Sequence, residues 1–372
     1  MRIAFVLTQD RGGPVDLTVA LARELAGRSD GPEVLIAGPE PIMRGVGAGT
    51  RLAPVLVGSK TDVAGARELR TVLRRWDPDV VHAQDRRAAL ATVTVARTSA
   101  PVVATYHGVP DDAAGLWIRE GPLAGHPPTP RAAAVLIADA LVARRVDALV
   151  APSAGIAEFL RRRLRVPDRI ISIVANGVAL PPARSPLGPV RTFASVSVFT
   201  PAKTAVTIVN AFAAVAEPRP DLRLILVGDG PDRAACERRA AALGIRNRTE
   251  FTGYQSDVAS QLARAQAFVL PSVNENLPLA LIEAMGAGLA CVASRIGGIP
   301  ELFADGSGLL IPPGDTNALA GAMATLADEP GLAASLGQAA AAAARRRFTI
   351  SACADAHQHL WQGLAGHRRS AP

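Results

Sequence analysis

Short apolar runs alternate along the chain with longer stretches in which apolar residues recur at helical spacing. The short runs predict strands at 3–7, 34–37, 80–82, 102–106, 148–151 and 171–174. The stretches between them, such as 14–26 and 64–76, predict amphipathic helices. Strands and helices in alternation are typical of a parallel sheet with helices on both faces.

The alternation of strands and helices is interrupted at residues 176–189, which are rich in proline and turn residues and therefore predict a linker. It then restarts, with strands predicted at 192–198, 223–227, 249–252, 267–270, 290–293 and 308–311, and helices at 205–216, 233–243, 258–265 and 279–287. We therefore expect an α/β protein of two doubly wound Rossmann-like domains that face each other across a cleft.

An alanine-rich tail at 332–364 is predicted to be helical and to pack back on the N-terminal domain. The expected boundaries are 1–183 for the first domain, 184–350 for the second, and 351–372 for a C-terminal helix or tail that crosses back to the first. Ligands of open α/β sheets bind beyond the carboxyl ends of the strands, so the loops that follow strands should carry the functional residues.

The chain carries a formal net charge of +7, which by itself permits nucleic acid as a partner. Aromatic residues make up only 4% of the chain, and no zinc-finger or RNA-binding motif is present. Nucleic acid is therefore not the expected partner. The arginine-rich runs at 161–165 and 345–347 fall in helical sequence, where they form solvated faces or contact anionic lipid head groups or a phosphorylated substrate.

The three cysteines, Cys236, Cys291 and Cys353, show no CxxC spacing and predict a reducing compartment without a structural metal. The first residues lack the pattern of a signal peptide, and no apolar stretch reaches the roughly 18 residues of a membrane span. We expect a cytoplasmic protein, with peripheral contact at the inner face of the membrane as an option. The sequence does not define the oligomeric state.

Glu275 and Glu283 are the most informative candidates. Glu283 lies among apolar residues with no basic residue within four positions, which predicts a buried carboxylate whose partner comes from elsewhere in the fold or from a ligand. Pro278 suits the first helical position, so Glu275 falls in the loop before that helix, beside free backbone N–H groups. This arrangement fits a ligand that carries a phosphate and hydroxyl groups. The alternative interpretation is that Glu275 is a surface loop residue and that Glu283 is paired with a distant arginine.

Further candidate ligand-binding residues lie in loops that follow other predicted strands. Gly12 and Gly13 open a helix after the first strand, where backbone N–H groups favour an anion, although the loop lacks the GxGxxG pattern of a dinucleotide-binding dehydrogenase. His107 follows a later strand at the same edge, and Gly228 begins a Gly-Asp-Gly-Pro turn. Each of these alone is more often structural than functional.

Together these segments resemble the retaining glycosyltransferases of family 4, which have the GT-B fold. The resemblance covers most of the chain and rests above all on the Glu-x7-Glu motif at 275–283, which continues as Glu-Ala-Met-Gly-Ala-Gly. Further matches are Asn-Gly-Val at 176–178, Val-Gly-Asp-Gly-Pro at 227–231, Phe-Thr-Gly at 251–253 and Gly-Gly-Ile-Pro-Glu at 297–301.

The resemblance implies a retaining, metal-independent glycosyltransferase that moves a sugar from a nucleotide-diphosphate sugar to an acceptor hydroxyl, without a cofactor. It places the catalytic residues Glu275 and His107 near the transferred sugar and Lys203 near the departing diphosphate. It also implies that Glu283 binds the donor ribose. The remaining donor-binding residues would be Gly12 and Gly13 near the diphosphate, Tyr254 near the nucleobase, and Gly228, Asn276, Leu277 and Pro278.

The sequence departs from the family pattern after the first strand of the second domain. Ser197 and Val198 stand where relatives usually carry Gly-Arg, and only Lys203 is retained. The missing arginine would neutralise the departing diphosphate, a role that Arg295 or Arg11 would have to fill. An alternative function therefore stays open: a weak or inactive glycosyltransferase-like protein that acts as a nucleotide-binding partner or scaffold.

The first domain is expected to bind the acceptor, chiefly through the loop at 108–130 with Trp117, Arg119 and Glu120. Neither the acceptor nor the donor's nucleobase and sugar follow from the sequence.

Overall fold

Two parallel β-sheets, one in each unit of the chain, form the framework of the structure. The computed structural model describes residues 1–43, 45–116, 125–181 and 188–369. The first unit comprises Met1–Gly108, Pro130–Val178 and Ile350–Pro372, and the second comprises Val109–Thr129 and Ala179–Thr349. The chain thus returns to the first unit at its C-terminal end.

The first unit contains the strands β1 (Arg2–Val6), β2 (Glu33–Gly38), β3 (Thr50–Pro54), β4 (Val80–Ala83), β5 (Val102–Thr105), β6 (Ala148–Ala151) and β7 (Ile171–Ile173). Its connecting helices are α1 (Gly13–Ala26), α2 (Glu40–Met43), α3 (Val63–Trp76), α4 (Arg86–Thr94), α5 (Pro130–Ala143) and α6 (Ala154–Arg163). Neighbouring strands are parallel and lie in the order β3-β2-β1-β4-β5-β6-β7.

The second unit repeats this design with β8 (Thr192–Val196), β9 (Arg223–Val227), β10 (Thr249–Gly253), β11 (Ala267–Leu270), β12 (Ala290–Ser294) and β13 (Leu309–Ile311). Its helices are α7 (Ala205–Ala216), α8 (Arg233–Ala242), α9 (Val258–Leu262), α10 (Leu279–Gly286), α11 (Ile299–Leu302), α12 (Thr316–Asp328) and α13 (Pro330–Arg347). The parallel strands lie in the order β10-β9-β8-β11-β12-β13. These two Rossmann-like domains confirm the predicted α/β fold class.

Most strands form where the sequence is continuously apolar. Every residue of β4 and β11 is buried, as expected for parallel strands covered by helices on both faces. The strand β3 differs, because it lies at the sheet edge and its residues are half-buried or exposed. No apolar run in the sequence marks β3, since an edge strand needs none.

Several predicted boundaries differ from the observed ones. The strand predicted to reach residue 198 ends at Val196, and Pro278 precedes α10 instead of being its first residue. The tail predicted to be helical consists of two helices, because Phe348 and Thr349 separate α13 from α14 (Ile350–Arg369). Residues 182–187 of the predicted linker lie outside the described residues.

The last helix, α14, contacts α1 and β4, which confirms that the C-terminal helix packs back on the N-terminal domain. Its Trp361 side chain is fully buried, with ring centroids 5.7 Å from Phe5 and 5.8 Å from His82. The His357 ring lies 5.4 Å from that of His82. We call these four residues the aromatic cluster. Aromatic pairs at such distances stabilise a core beyond their area burial.

Both histidines of the aromatic cluster are held neutral. Burial is the main cause that keeps the pKa of His82 well below its ordinary value, and burial lowers the pKa of His357 to about 4. His82 Nε2 lies 2.8 Å from Thr105 Oγ1, and His357 Nδ1 lies 2.8 Å from the Cys353 carbonyl oxygen. A proton added to either ring would place a charge inside the core.

We expect the free energy of unfolding to fall as the pH drops from about 6.5 to about 4. In the unfolded chain His82 and His357 bind protons near the ordinary pKa of 6.5, whereas in the folded protein the pKa of His357 is about 4 and that of His82 is also lowered. The contribution of the neutral histidines to the free energy of unfolding is therefore fully present above about pH 6.5. It is lost as the pH falls from about 6.5 to about 4. Chemical denaturation at several pH values measures the loss.

His357→Gln removes one of these titrating groups and should make the pH dependence shallower. His359→Gln, at an exposed position of the same helix, is the matched control and should retain the wild-type dependence. Equal pH dependence in wild type and His357→Gln would show that His357 is not held neutral by the fold.

Candidate functional site

The loops after β8 and β11 bring Lys203 and Glu275 together. These strands are neighbours although β9 and β10 lie between them in sequence, so the strand order of the sheet reverses at this point. Such a reversal opens a crevice at the carboxyl ends of the strands. Here Lys203 Nζ lies 2.6 Å from Glu275 Oε1, and the Glu275 side chain is only 10% exposed. The structure thus joins two residues that the sequence analysis identified separately.

Two further hydrogen bonds orient this ion pair. Lys203 Nζ donates to the carbonyl oxygen of Asn274 at 3.2 Å, and Ser272 Oγ donates to Glu275 Oε1 at 3.1 Å. The glutamate oxygen therefore accepts from an ammonium group and from a hydroxyl. Such charge-assisted bonds are stronger than those between neutral groups.

The two loops are also joined beside the pair. The backbone N–H of Val273 donates to the carbonyl oxygen of Ala202 at 2.9 Å, and Thr204 Oγ1 donates to the carbonyl oxygen of Pro271 at 2.9 Å. Thr204 has a left-handed backbone with φ of 54°, an unfavourable conformation for a β-branched residue. It turns the chain from the loop of Lys203 into α7.

Glu283 lies on α10, and its neighbours Leu281, Ile282, Ala284 and Met285 are buried. Glu283 itself is only partly buried. The sequence predicts a buried carboxylate, whereas Glu283 is partly exposed because the helix face that carries it reaches the solvent. A partly exposed carboxylate remains able to accept hydrogen bonds from a ligand.

The backbone of the loop before α11 packs against the backbone of the Glu275 loop. Gly298 donates its backbone N–H to the carbonyl oxygen of Asn276 at 2.7 Å. Gly297 has φ of 58°, and a Cβ atom at this position would overlap the carbonyl oxygen of Glu275. Only glycine combines this backbone conformation with so close an approach.

The remaining predicted donor-binding residues of this loop are Asn276, Leu277 and Pro278. Asn276 and Leu277 are only 6% and 3% exposed. Pro278 caps the start of α10 in an extended conformation. The loop therefore offers a helix N-terminus rather than polar side chains.

Gly228 and Tyr254 lie at the carboxyl ends of β9 and β10. The backbone N–H of Gly228 donates to the carbonyl oxygen of Gly253 at 2.8 Å, and a Cβ at Gly228 would overlap the carbonyl oxygen of Ser197. Tyr254 is 73% exposed and Val198 is 56% exposed. Two large side chains are thus presented to solvent at the same edge of the sheet as Lys203 and Glu275.

Asn274 is a site residue that the sequence analysis missed. Its side chain is 8% exposed, and its Nδ2 donates to the carbonyl oxygen of Val109 at 3.0 Å and to Asp111 Oδ1 at 2.6 Å. It thereby ties the segment around Asp111 to the loop of Glu275 within the second unit. An asparagine in a loop has no periodic signature that would have revealed this role.

In the first unit, the strand order reverses between β1 and β4. Gly12 ends the loop after β1, and Gly13 is the first residue of α1. Gly12 caps α1, and its carbonyl oxygen accepts from Val15 and Asp16. Asp85, which the sequence analysis did not identify, joins the two loops. It accepts from the backbone and the hydroxyl of Thr8 at 2.6 and 2.7 Å and also caps α4.

His107 lies after β5 in the first unit, and its Nε2 is 3.1 Å from Gln84 Oε1. Burial, followed by the charges of His357 and Arg86, lowers the pKa of His107 to about 3. The imidazole is therefore neutral near pH 7. Gln84 is fully buried.

The two arginine-rich runs are largely engaged within the fold. Arg161 pairs with Asp168 and Glu158, and Arg162 also pairs with Glu158. In the second run, Arg345 donates to the carbonyl oxygens of Gly286 and Pro181, and Arg346 and Arg347 pair with Asp305. Carboxylate partners thus offset part of the positive charge in both runs.

Among the described residues, no group of His, Cys, Asp and Glu side chains is arranged to hold a metal ion. None of the described helices is both long and apolar enough to span a membrane.

Trp117, Arg119 and Glu120, which were expected to bind the acceptor, lie outside the described residues. Arg295 and Arg11, the suggested substitutes for the missing arginine, are both exposed.

Two known protein families match the chain, one in each half. The family described as "Glycosyltransferase Family 4" matches residues 11–180, and the family described as "Glycosyl transferases group 1" matches residues 185–343.

Among curated proteins, the chain is 34% identical over 154 residues to N-acetyl-alpha-D-glucosaminyl L-malate synthase of Bacillus anthracis, covering 41% of this chain and 40% of that protein. It is 31% identical over 273 residues to D-inositol 3-phosphate glycosyltransferase of Streptomyces scabiei, covering 64% and 61%. The aligned segments span 36–42% of the first three curated relatives.

Solved structures match over nearly the whole chain. Sucrose-phosphate synthase from Thermosynechococcus elongatus aligns with a TM-score of 0.81 and 19% identity, covering 98% of this chain and 99% of that one. Anabaena HepE, solved with UDP and glucose, aligns with a TM-score of 0.78 and 18% identity, covering 98% and 100%. At these identities the likeness establishes the fold.

We expect Gly297→Ala to destabilise the second unit and to displace the loop of Glu275. The added methyl group would both strain the left-handed backbone and overlap the Glu275 carbonyl oxygen. Strain of this kind costs about 1–2 kcal/mol, and the steric overlap adds to it. Thermal and chemical unfolding measure the loss.

Gly306→Ala is the matched control, because Gly306 has φ of 71° but no atom within 4 Å of the place that an added Cβ would occupy. It should suffer the backbone strain alone. Equal destabilisation by the two substitutions would show that the close approach of Gly297 to Glu275 contributes nothing.

Proposed function

Because the chain belongs to the family 4 glycosyltransferases, we propose that it transfers a sugar from a nucleotide-diphosphate sugar to a hydroxyl group of an acceptor. The observation that carries this proposal is the pairing of Lys203 with Glu275 where the strand order of the second sheet reverses. The proposed transfer retains the anomeric configuration and needs no metal ion.

Lys203 is suited to receive the departing diphosphate. An ammonium group has three N–H donors, and two of them are used by Glu275 and the carbonyl oxygen of Asn274. The third is available to a phosphate oxygen. As the bond between the sugar and the diphosphate breaks, this positive charge would stabilise the negative charge that develops on the leaving oxygen.

Glu275 is suited to hold the transferred sugar. Among the described residues, its side-chain contacts with Lys203 and Ser272 fall on Oε1, which leaves Oε2 to accept a sugar hydroxyl. Because one oxygen is anchored, the other is positioned before a ligand arrives. Such preorganisation reduces the entropy that must be lost on reaching the transition state.

The other assigned residues complete the proposal. Glu283, partly exposed on α10, would accept hydrogen bonds from the donor ribose. His107 would contact the sugar as a neutral hydrogen-bonding group, because its pKa of about 3 makes it a poor proton acceptor near pH 7. The acceptor hydroxyl forms the new bond to the sugar and releases its proton to the diphosphate or to solvent.

We also propose a cytoplasmic location. Cys236, Cys291 and Cys353 are free and buried, and burial is the main cause that raises the pKa of Cys236 to about 11 and that of Cys353 to about 12. Free buried thiols are typical of proteins in a reducing compartment.

We expect one of UDP, GDP and dTDP to bind at micromolar strength in the presence of EDTA, and Glu283→Gln to weaken that binding by about tenfold or more. The substitution removes a charged acceptor for the ribose hydroxyls, and a hydrogen bond to a charged group contributes about 1.5–3 kcal/mol. Isothermal titration calorimetry measures each affinity. UDP is tested first, because HepE was solved with it.

Glu329→Gln serves as the control, since Glu329 is exposed at the start of α13. It should bind the nucleotide as the wild type does. If none of the three nucleotides bound the wild type, the donor site would be wrongly assigned and the scaffold alternative would be favoured.

We expect Lys203→Ala and Glu275→Gln each to lower kcat by about 10²–10³-fold, because each removes preorganised stabilisation of the reacting groups. The double variant should lose less than the product of the two effects, since paired residues act together. Release of nucleoside diphosphate from the donor measures turnover.

Arg239→Gln, at an exposed position on α8, provides the control for a change of charge in the same unit. Undiminished turnover in both Lys203→Ala and Glu275→Gln would overturn the catalytic assignment. A product whose anomeric configuration is inverted, as measured by NMR, would overturn the retaining mechanism.

A further inference from the structure

One cavity of the second unit lies away from Lys203 and Glu275. It has a volume of about 680 Å³ and is lined by Thr192, Arg223 and Thr249, which are the first residues of β8, β9 and β10. The catalytic candidates lie at the other ends of these strands, and five-residue strands separate the two edges by about 13 Å. The cavity is therefore distinct from the proposed donor site.

Positive charge dominates the wall of this cavity. Four arginines, Arg223, Arg246, Arg248 and Arg264, face one carboxylate, Glu250, which leaves an excess of three positive charges. Glu250 pairs with Arg264 through both of its oxygens. Within the described part of the chain, the other three arginines form no ion pair, whereas arginines elsewhere, such as Arg28 and Arg219, do.

The unpaired guanidinium groups are held in place by the backbone. Arg223 Nη1 donates to the carbonyl oxygens of Pro220 and Leu222 at 2.9 and 3.0 Å. Arg248 Nη1 donates to the carbonyl oxygen of Ala216 at 2.7 Å. In both cases only one nitrogen is engaged by these bonds, and the guanidinium group keeps further N–H donors for a ligand.

Arg246 is held in a second way. Its Nη1 donates to the carbonyl oxygen of Thr249 at 3.1 Å, and its guanidinium carbon lies 5.2 Å from the centroid of the Phe251 ring. A cation over an aromatic face is stabilised without being neutralised. Arg246 is therefore held by a carbonyl oxygen and an aromatic ring instead of a carboxylate.

We propose that this cavity binds a small molecule that carries one or two phosphate groups. Rigid arginines bind phosphate in a bidentate manner, and three of them without carboxylate partners favour an anion over a neutral ligand. The volume is that of a small-molecule site. Strands β9 and β10 run from this cavity to Gly228 and Tyr254, so an occupant would contact the same strands that carry the proposed donor site.

Calorimetric titration of the full chain with inorganic pyrophosphate tests this site. We expect binding that persists in Lys203→Ala, because that variant affects only the other edge of the sheet. The double variant Arg223→Gln/Arg246→Gln should weaken the binding by about tenfold or more. Glu250→Gln should strengthen it, since Arg264 would then be freed from its carboxylate.

Arg74→Gln/Arg75→Gln removes the same charge from exposed positions of α3 in the first unit and should bind pyrophosphate as the wild type does. Equal affinity of the cavity variant and the wild type, or no binding to the wild type at millimolar concentrations, would overturn the proposal. Tighter binding of a short oligonucleotide, lost in the cavity variant, would overturn the assignment to a small ligand. None of these outcomes depends on the transferase activity.

Discussion

The adjacency of β8 and β11 is the constraint on which the candidate site depends. Because all neighbouring strands are parallel, every strand ends at the same edge of the sheet, and only where the strand order reverses do two loops diverge to opposite faces. Lys203 and Glu275 come from those two loops. A sheet that kept its strands in sequence order would have placed them far apart, whatever their identities.

Close backbone approach makes this arrangement rigid. Gly297 lies against the carbonyl group of Glu275, and Gly228 lies against that of Ser197, so both loops rest on glycine backbones at the sheet edge. The same edge also carries Val198, where the family pattern leads us to expect an arginine. The positive charge at the donor phosphate would then come from Lys203 and the N-terminus of α10, which are held by the same loops.

The fold and the candidate residues followed from local signals and from the family resemblance, whereas the contacts between residues did not. Buried strands such as β11 are continuously apolar and were predicted at their observed positions, but the edge strand β3 has no such pattern. Glu275 and Lys203 were identified through a motif. Asn274 and Asp85 act through hydrogen bonds to residues 163 and 77 positions away, and such distant partners leave no trace in local spacing.

The placement of α14 has a consequence for how the protein is made. The ring of Trp361 covers Phe5 and His82, which belong to the first unit and leave the ribosome more than 250 residues earlier. The first unit therefore remains incomplete, with an apolar surface exposed, throughout synthesis of the second. The second unit ends at Thr349 and does not include this helix. Vectorial synthesis thus favours completion of the second unit before the first, the reverse of the order in which their sequences begin.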